Sequence, residues 1–305
     1  MPAATGRAQV GADRGPPIEL AYDVFSTGGK PLVLIMGIGA QRIFWDDAMC
    51  ELFVEAGFHV VRFDHRDIGE STRLDAPVPS PGRTLALRML GVVPRPAYTL
   101  SDMASDVAEL IRVLGMGSAH IVGASMGGMV GQHLAIEHPE VVRSLTSIMS
   151  SPGGRRYLPQ PFALKALFRP APKDRAEAGR AVDLMFRTIG GSGWPHDGER
   201  LRAIGELSFE RGLSPRGFLR HFGAMMGTAD RRAKLRAVQV PTLVIHGSND
   251  PLIPMRAGRD LARMMPDATW LPIAGMGHGL PSGLWPTIVS AIARHAERAD
   301  ARATV

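Results

Sequence analysis

The sequence predicts an α/β protein with a mostly parallel central sheet, helices on both faces, and an all-helical insertion between two strands. Three observations lead to this fold class. Short β-branched runs alternate with helix-like segments along most of the 305 residues, the alternation stops between Ser151 and Val240, and it resumes at Pro241. Strands that alternate with helices are typical of a parallel sheet, because two parallel strands need a long crossover between them.

Six short apolar runs are predicted to be strands. Their apolar residues follow one another rather than alternate with polar residues, which indicates strands that are covered on both faces. In chain order these runs are Pro31–Met36, His59–Phe63, His120–Val122, Leu145–Met149, Pro241–His246 and Thr269–Ile273.

Five segments between or after these runs have a helical pattern. In one of them Met103, Val107, Leu110 and Leu114 recur at spacings of three and four, which places them on one face of a helix. The five predicted helical segments are Gln41–Ala56, Leu100–Gly115, Met126–Glu137, Met255–Met265 and Leu284–Ala296.

The interruption of the strand pattern predicts a two-part organisation. We expect residues 1–150 and 237–305 to form one α/β core and residues 151–236 to form a helical cap inserted into it. The segment between Ser151 and Val240 is basic, with 17 Lys and Arg residues against 8 Asp and Glu residues. These cations are interspersed with acids on helical patterns, which favours solvated helix faces over a nucleic-acid site.

Composition excludes several other classes of protein. No stretch approaches the roughly 20 apolar residues of a membrane-spanning helix, so no membrane partner is expected. The single cysteine, Cys50, excludes an intrachain disulfide framework and a multi-cysteine metal site. Met1–Pro17 lacks the apolar run of a signal peptide, and a cytoplasmic location is therefore expected. The sequence does not define an oligomeric state.

The strongest chemical signal is the motif Gly123-Ala124-Ser125-Met126-Gly127, which follows a predicted strand and opens a predicted helix. A serine at such a tight strand-to-helix turn occupies a strained backbone conformation, and glycines two positions away let neighbouring backbone pack closely. The helix start also offers free N–H groups to a developing negative charge. The motif predicts that Ser125 is a nucleophile.

A base and an acid follow later predicted strands. A serine hydroxyl is a weak nucleophile unless a base activates it, and the base needs an orienting acid. Asp250 lies just after the run Pro241–His246, and His278 lies just after Thr269–Ile273. The carboxyl ends of parallel strands share one sheet edge, so we expect Ser125, Asp250 and His278 to meet there as a triad.

An oxyanion hole completes the predicted site. The run Pro31–Met36 ends in Gly37-Ile38-Gly39, and we assign one donor to the Ile38 N–H and the other to the Met126 N–H. The spacing of Gly37 and Gly39 also mimics a dinucleotide fingerprint, but Arg42 stands where that motif has its third glycine. No nucleotide, metal or other cofactor is expected.

These segments together resemble the α/β-hydrolase family of serine esterases. Phe63–Ser71 is similar to the family's loop after its fourth strand, and His246–Pro251 and Gly275–His278 match its acid and histidine segments. The combination resembles the branch with the aclacinomycin methylesterases and related bacterial carboxylesterases. One departure is Met36-Gly37, where His-Gly is usual; the backbone donor is retained. The resemblance covers residues 18–150 and 236–300, but not the cap.

The expected function is hydrolysis of a carboxylic ester through an acyl-enzyme, on neutral, apolar, short-to-medium small-molecule esters. The residues expected near the site are mostly apolar. Besides the oxyanion residues Ile38 and Met126, those expected to line the substrate pocket are Phe44, Trp45, Met129, Met149, Met225, Met226 and Leu280. Three alternatives stay open. They are another reaction on the same triad (perhydrolysis, lactone opening or carbon–carbon bond hydrolysis), a ligand receptor with slow turnover, and nucleic-acid binding through the basic segment.

Overall fold

The computed structural model describes residues 1–11, 17–154 and 156–303. Among these, eight strands form one sheet in the order β1-β2-β4-β3-β5-β6-β7-β8. The strands from β4 to β8 along this order pair in parallel, and β1 and β2 are antiparallel to their neighbours. Their bounds are β1 Ala4–Val10, β2 Ile18–Val24, β3 Lys30–Ile35, β4 Phe58–Phe63, β5 Ala119–Ala124, β6 Val142–Ile148, β7 Thr242–Gly247 and β8 Ala268–Ile273.

All six predicted strands are confirmed as β3 to β8, but the sequence interpretation missed β1 and β2. β1 is the edge strand of the sheet, and in β2 the polar residues Glu19 and Asp23 interrupt the apolar sequence. In β1 only Ala8 and Val10 are buried, so the strand has no continuous apolar run to mark it. Within the segment Met1–Pro17, for which no signal peptide was predicted, residues 12–16 lie outside the described residues.

The five predicted helices are present: Met126–Glu137 has the predicted bounds, and the other four differ at one end or at both. The segment Gln41–Ala56 is divided into a 3₁₀ turn, Arg42–Phe44, and a helix that begins after its N-cap Asp46, whose side chain accepts from the Ala48 N–H. The helices are α1 Asp47–Glu55, α2 Pro81–Met89, α3 Leu100–Val113, α4 Met126–Glu137, α5 Pro161–Leu167, α6 Arg175–Ile189, α7 Gly198–Glu210, α8 Pro215–Gly227, α9 Arg232–Leu235, α10 Met255–Met264 and α11 Trp285–Ala303. The sequence interpretation missed α2.

Helices cover both faces of the sheet, as predicted. In β3, Val33 and Ile35 belong to one hydrophobic core, which also contains residues of α3, α4 and α10. Leu32 and Leu34 point to the opposite core, with residues of α1 and α11. Burial on both faces explains why the central strands have continuous apolar sequences.

The described residues between β6 and β7 form helices and no strand. We call α5–α9, with the loops that join them, the helical insertion. Its helices α6 and α7 pack closely because glycines face each other: a Cβ on Gly205 would lie 2.6 Å from the Ala178 carbonyl oxygen. The division into a core and a separate cap at residues 151–236 stays a prediction. No helix among the residues described is both long and apolar enough to cross a membrane.

Candidate active site

Ser125 lies at the tight turn between β5 and α4, in a backbone conformation that L-residues rarely adopt. Its φ is 55° and its ψ is −118°. The glycines two positions away leave no space for side chains: a Cβ on Gly123 would lie 2.3 Å from the Gly127 carbonyl oxygen, and one on Gly127 would lie 2.1 Å from the Ile35 carbonyl oxygen. This close packing holds the strained serine in place.

The three predicted triad side chains meet at the carboxyl ends of the parallel strands. His278 Nε2 lies 2.9 Å from Ser125 Oγ, and His278 Nδ1 lies 2.7 Å from Asp250 Oδ2. All three residues are buried. Because the carboxylate accepts the Nδ1–H, Nε2 is left as the acceptor for the serine hydroxyl.

Asp250 is held as a carboxylate by several donors. Its Oδ1 accepts the backbone N–H groups of Leu252 and Ile253 at 2.9 and 2.8 Å. Burial acts to raise the pKa of this carboxyl, but the charge interaction with His278 and hydrogen bonds from His246 and His278 outweigh it and lower the pKa well below its ordinary value. Asp250 therefore remains charged beside His278.

His246 is a contact that the sequence interpretation missed. Its Nε2 donates to the Ile253 carbonyl oxygen at 2.8 Å and lies 3.4 Å from Asp250 Oδ2. The available signal was its position at the end of β7, four residues before the acid. His246 fixes the loop that presents Asp250.

The loop that carries His278 is docked on the helical insertion by backbone contacts. The His278 N–H donates to the Ile189 carbonyl oxygen at 2.6 Å, and the Gly277 N–H donates to the Gly190 carbonyl oxygen at 2.9 Å. A Cβ on Gly277 would lie 2.3 Å from the Gly190 carbonyl carbon and the Gly191 nitrogen. The glycines after α6 thus support the histidine directly.

Both predicted oxyanion donors lie beside Ser125. Met126 is the first residue of α4, so its N–H is one of the groups that the helix itself leaves without a carbonyl acceptor. Ile38 lines the same cavity as Ser125, and a Cβ on the preceding Gly37 would lie 3.3 Å from Ser125 Cβ. The backbone of this loop therefore approaches the serine closely.

Ser125 and His278 open into a cavity of about 460 Å³. The helical insertion contributes more than half of the lining residues, among them Leu167, Phe168, Met185, Phe186, Phe218 and Leu219. Of the predicted pocket residues, Phe44 and Met149 line this cavity, and so does the predicted oxyanion residue Ile38. A smaller cavity of about 80 Å³ adjoins it and is lined by Leu280 together with Phe44 and Met149.

Four of the predicted pocket residues line neither of these two cavities: Trp45, Met129, Met225 and Met226. Trp45, Met126 and Met129 are buried in the hydrophobic cores instead. Met225 and Met226 lie seven residues beyond Phe218 and Leu219 on α8, which is about 10 Å along a helix axis. Trp45, Met129, Met225 and Met226 were therefore assigned to the pocket wrongly. The N–H of Met126, which is a predicted oxyanion donor, lies next to Ser125 in the chain.

The sequence interpretation also missed the aromatic walls supplied by the helical insertion. Phe186 lies on α6 and Phe218 on α8, and both line the main cavity. In sequence they are apolar residues of amphipathic helices, and no pattern separates a cavity wall from a core contact. Among the described residues, no group of three or more His, Cys, Asp or Glu side chains is placed to hold a metal ion.

Fold and site define the class of this protein. The chain belongs to the α/β-hydrolase family: the family model for the alpha/beta hydrolase fold matches residues 30–188. It is 29% identical to the rhodomycin D methylesterase DnrP of Streptomyces peucetius over 290 residues, covering 88% of this chain and 91% of that protein. This similarity confirms the predicted resemblance to the esterases of the family.

Other relatives carry different names. A putative non-heme bromoperoxidase, BpoC of Mycobacterium tuberculosis, is 26% identical over 271 residues, covering 86% of this chain and 91% of that one. The crystal structure of an enol-lactonase from Burkholderia xenovorans superposes with a TM-score of 0.69 at 20% identity, covering 95% of this chain and 99% of that chain. The structural likeness shows the shared fold.

Proposed function

We propose that this hydrolase cleaves carboxylic esters through a Ser125–His278–Asp250 triad and an acyl-enzyme intermediate. The observation that carries the proposal is the continuous chain of hydrogen bonds from Ser125 Oγ through the His278 ring to Asp250, at the wall of an apolar cavity. Similarity to a methylesterase supports ester hydrolysis over the other reactions of the family.

In the first half of the reaction Ser125 Oγ attacks the ester carbonyl carbon while His278 Nε2 takes the hydroxyl proton. Asp250 stabilises the resulting imidazolium through its bond to Nδ1 and keeps the ring in the required tautomer. His278 then gives the proton to the departing alcohol. In the second half, water attacks the acyl-enzyme with the same base, and Ser125 is regenerated.

The negative charge that forms on the carbonyl oxygen is assigned to the N–H groups of Ile38 and Met126. The Met126 N–H also stands at the positive end of the α4 dipole, where an anion is stabilised. A pair of fixed donors near the serine contributes most in the transition state, because the charge develops there.

The cavity favours a neutral substrate with a substantial apolar part. A volume of about 460 Å³ lies in the range of sites that enclose small organic molecules. Gln41, a polar residue of its wall, is already engaged: its amide donates to the Ser208 carbonyl oxygen and its Oε1 accepts from Arg211. The lining also includes the charged Arg169, which is exposed, so a charged acyl group placed against the apolar part of the wall would lose hydration without a charged partner there.

Several arginines of the helical insertion are engaged in ion pairs, which supports a small-molecule substrate over nucleic acid. The pairs include Arg175 with Glu206 and Glu210, Arg187 and Arg202 with Asp183, Arg211 with Asp64 and Glu70, and Arg220 with Asp67.

The test is a series of p-nitrophenyl esters from acetate to palmitate, with a succinate half-ester of matched length and Ser125→Ala as the blank. We expect kcat/KM to rise with acyl length until the cavity is filled, since each buried methylene contributes about 0.8 kcal/mol. If the anionic half-ester is the better substrate and salt abolishes its advantage, arginines form the substrate site and the apolar assignment is wrong.

The same screen decides among the reactions that share this triad. Three further assays are added: lactones test lactone opening, a substrate with a hydrolysable carbon–carbon bond tests carbon–carbon bond hydrolysis, and acetate with hydrogen peroxide tests perhydrolysis. The similarity to a putative bromoperoxidase justifies the peroxide assay. A burst of one product equivalent without further turnover would instead favour a slow ligand receptor.

A further inference from the structure

The loop that carries the proposed oxyanion donor is held at both ends by buried histidines. His65 Nε2 donates to the Met36 carbonyl oxygen at 3.1 Å. At the other end, the Gly39 N–H donates to His221 Nδ1 at 3.2 Å. His65 lies just after β4, whereas His221 lies on α8 of the helical insertion, so the two supports come from different parts of the chain.

These two bonds fix the peptide units on either side of the proposed donor. The peptide unit that joins Gly37 to Ile38 supplies the Ile38 N–H, and its carbonyl oxygen accepts the Ala40 N–H at 3.4 Å. The preceding unit is held through Met36, and the following unit is held through Gly39. The direction of the Ile38 N–H therefore depends on both histidines.

The contacts of His221 require one neutral tautomer. Nδ1 accepts a hydrogen bond and must carry no proton, while Nε2 donates to the Arg66 carbonyl oxygen at 2.9 Å. The ring is fully buried and meets the His65 ring edge to face, with centroids 5.6 Å apart. Burial lowers the pKa of His221 to about 4, which keeps the ring neutral at ordinary pH.

Helix α8, which carries His221, is fixed to the core by an ion pair and by a close packing contact. The neighbouring Arg220 makes two bonds to the Asp67 carboxylate, at 2.8 and 2.6 Å. The Phe218 ring covers Gly39: a Cβ on Gly39 would lie 2.6 Å from Phe218 Cδ2, and the φ of Gly39 is +65°. These contacts leave α8 and the oxyanion loop as one packed unit.

From this geometry we infer that His221 is a positioning residue, which orients the Ile38 N–H through its bond to Gly39. The inference rests on the proposed function, because it assumes that Ile38 stabilises the oxyanion. The helical insertion then serves catalysis as well as substrate binding. Loss of the Gly39 bond should lower kcat and leave KM nearly unchanged, because the oxyanion forms only during the reaction.

A matched pair of variants tests the two hydrogen bonds of His221 one at a time. In His221→Asn the amide oxygen takes the place of Nδ1 and accepts the Gly39 N–H, but the donor to Arg66 is lost. In His221→Gln the amide reaches the place of Nε2 and donates to Arg66, but the acceptor for Gly39 is lost. Each variant removes one buried hydrogen bond, so a general loss of packing affects both.

We expect His221→Gln to lower kcat by about 10- to 100-fold, somewhat less than complete loss of an oxyanion donor, and His221→Asn to retain kcat within a few fold. KM should change less than about threefold in both. Urea unfolding is measured in parallel. The inference would be overturned if kcat fell equally in the two variants, or if the loss of kcat matched the loss of unfolding free energy in each.

The corresponding variants at His65 should show the opposite order of activity. They also test the inference if the His221 variants do not fold. His65 uses Nε2, so His65→Gln keeps the donor to Met36 and His65→Asn loses it. The inference therefore requires Gln to be the more active variant at His65 and Asn to be the more active one at His221. The same order at both positions would refute it.

Phosphonylation of Ser125 by a fluorophosphonate separates this inference from the proposed function. If the wild-type protein is phosphonylated but hydrolyses no ester, the proposed function fails, and the labelling rates of the four variants still judge the inference. If ester turnover is abolished by Ser125→Ala but the four variants do not follow the predicted orders, the proposed function stands and the inference fails. If Ser125 is not labelled at all, both fail.

Discussion

The Phe44 and Phe186 rings face each other with their centroids 6.2 Å apart, and both rings line the main cavity and the smaller one beside it. Phe44 belongs to the 3₁₀ turn before α1, and Phe186 belongs to α6 of the helical insertion. Met36 and Met149 also line both cavities, so the aromatic pair forms part of the boundary between them, and Phe186 is the contribution of the insertion.

Truncating Phe186 should join the cavities. We expect Phe186→Ala to raise kcat/KM for long or branched acyl esters relative to acetate by about tenfold, since several more methylene groups gain buried contacts. The measurement is the p-nitrophenyl series on both proteins. Leu184→Ala, at a half-exposed position of the same helix, is the control and should leave the chain-length profile unchanged. An unchanged profile in Phe186→Ala would show that the partition does not limit acyl length.

The triad assignment predicts non-additive losses. Ser125→Ala and His278→Ala should each lower kcat by on the order of 10³-fold or more, and the double variant should be little worse, because the two side chains act as a unit. Circular dichroism checks the fold, and Ser290→Ala, at an exposed position of α11, is the serine control. Near-normal turnover in either single variant would remove the assignment.

Asp250→Asn should lower kcat by about 10³- to 10⁴-fold. The asparagine oxygen can keep the N–H groups of Leu252 and Ile253, but its NH₂ then faces His278 Nδ1 and favours a proton on Nε2, which cannot accept from Ser125. Steady-state kinetics measure the effect, with Asp260→Asn on α10 as the matched change. Full activity in Asp250→Asn would mean that another carboxylate is the acid.

The tight turn at Ser125 predicts a strict requirement for Gly127. An added methyl group would meet the Ile35 carbonyl oxygen at 2.1 Å, and backbone must move to relieve the clash. We expect Gly127→Ala to lose about 3 kcal/mol or more of unfolding free energy, or not to fold. Gly82→Ala is the control, because nothing lies within 4 Å of its added methyl group and alanine favours helix α2. Wild-type stability in Gly127→Ala would contradict the close packing.

Buried neutral histidines predict a loss of stability in mild acid. Burial lowers the pKa of His65 to about 3 and that of His221 to about 4, from an ordinary value of 6.5. The unfolded chain therefore binds more protons below pH 6.5, and the unfolding free energy should fall as the pH drops from 6.5 to 5, by at most about 2 kcal/mol per ring. The groups that face His221 are His65, Arg66, Asp67, Tyr98 and Arg220.

Urea unfolding at pH 6.5 and pH 5 measures this loss of unfolding free energy. Most carboxyl groups titrate below this pH range, so their contribution is small. Burial also lowers the pKa of His120, His133 and His295. His221→Asn removes one of these buried rings and should show a smaller decrease than the wild-type protein. An equal decrease in both proteins would assign the pH dependence to other groups.

The local sequence was enough to predict the parallel strands, the main helices around them, and the order Ser125, Asp250, His278. The reason is that burial on both faces forces continuous apolar runs on β3 to β8, and a tight strand-to-helix turn forces glycines around the serine. Both constraints act within a few residues along the chain. Edge strand β1, which is buried on one side only, was not recognised for the same reason.

Only the tertiary structure decided what surrounds the triad. Phe186 and Phe218 are part of the cavity wall, and the loop of the proposed oxyanion donor is supported by His221, which lies 182 residues after Gly39. Trp45 and Met129 were assigned to the pocket because they are apolar and close in sequence to the site, yet they pack in the cores. An apolar side chain has the same local pattern in a core and in a cavity wall; which one it reaches depends on how distant helices pack.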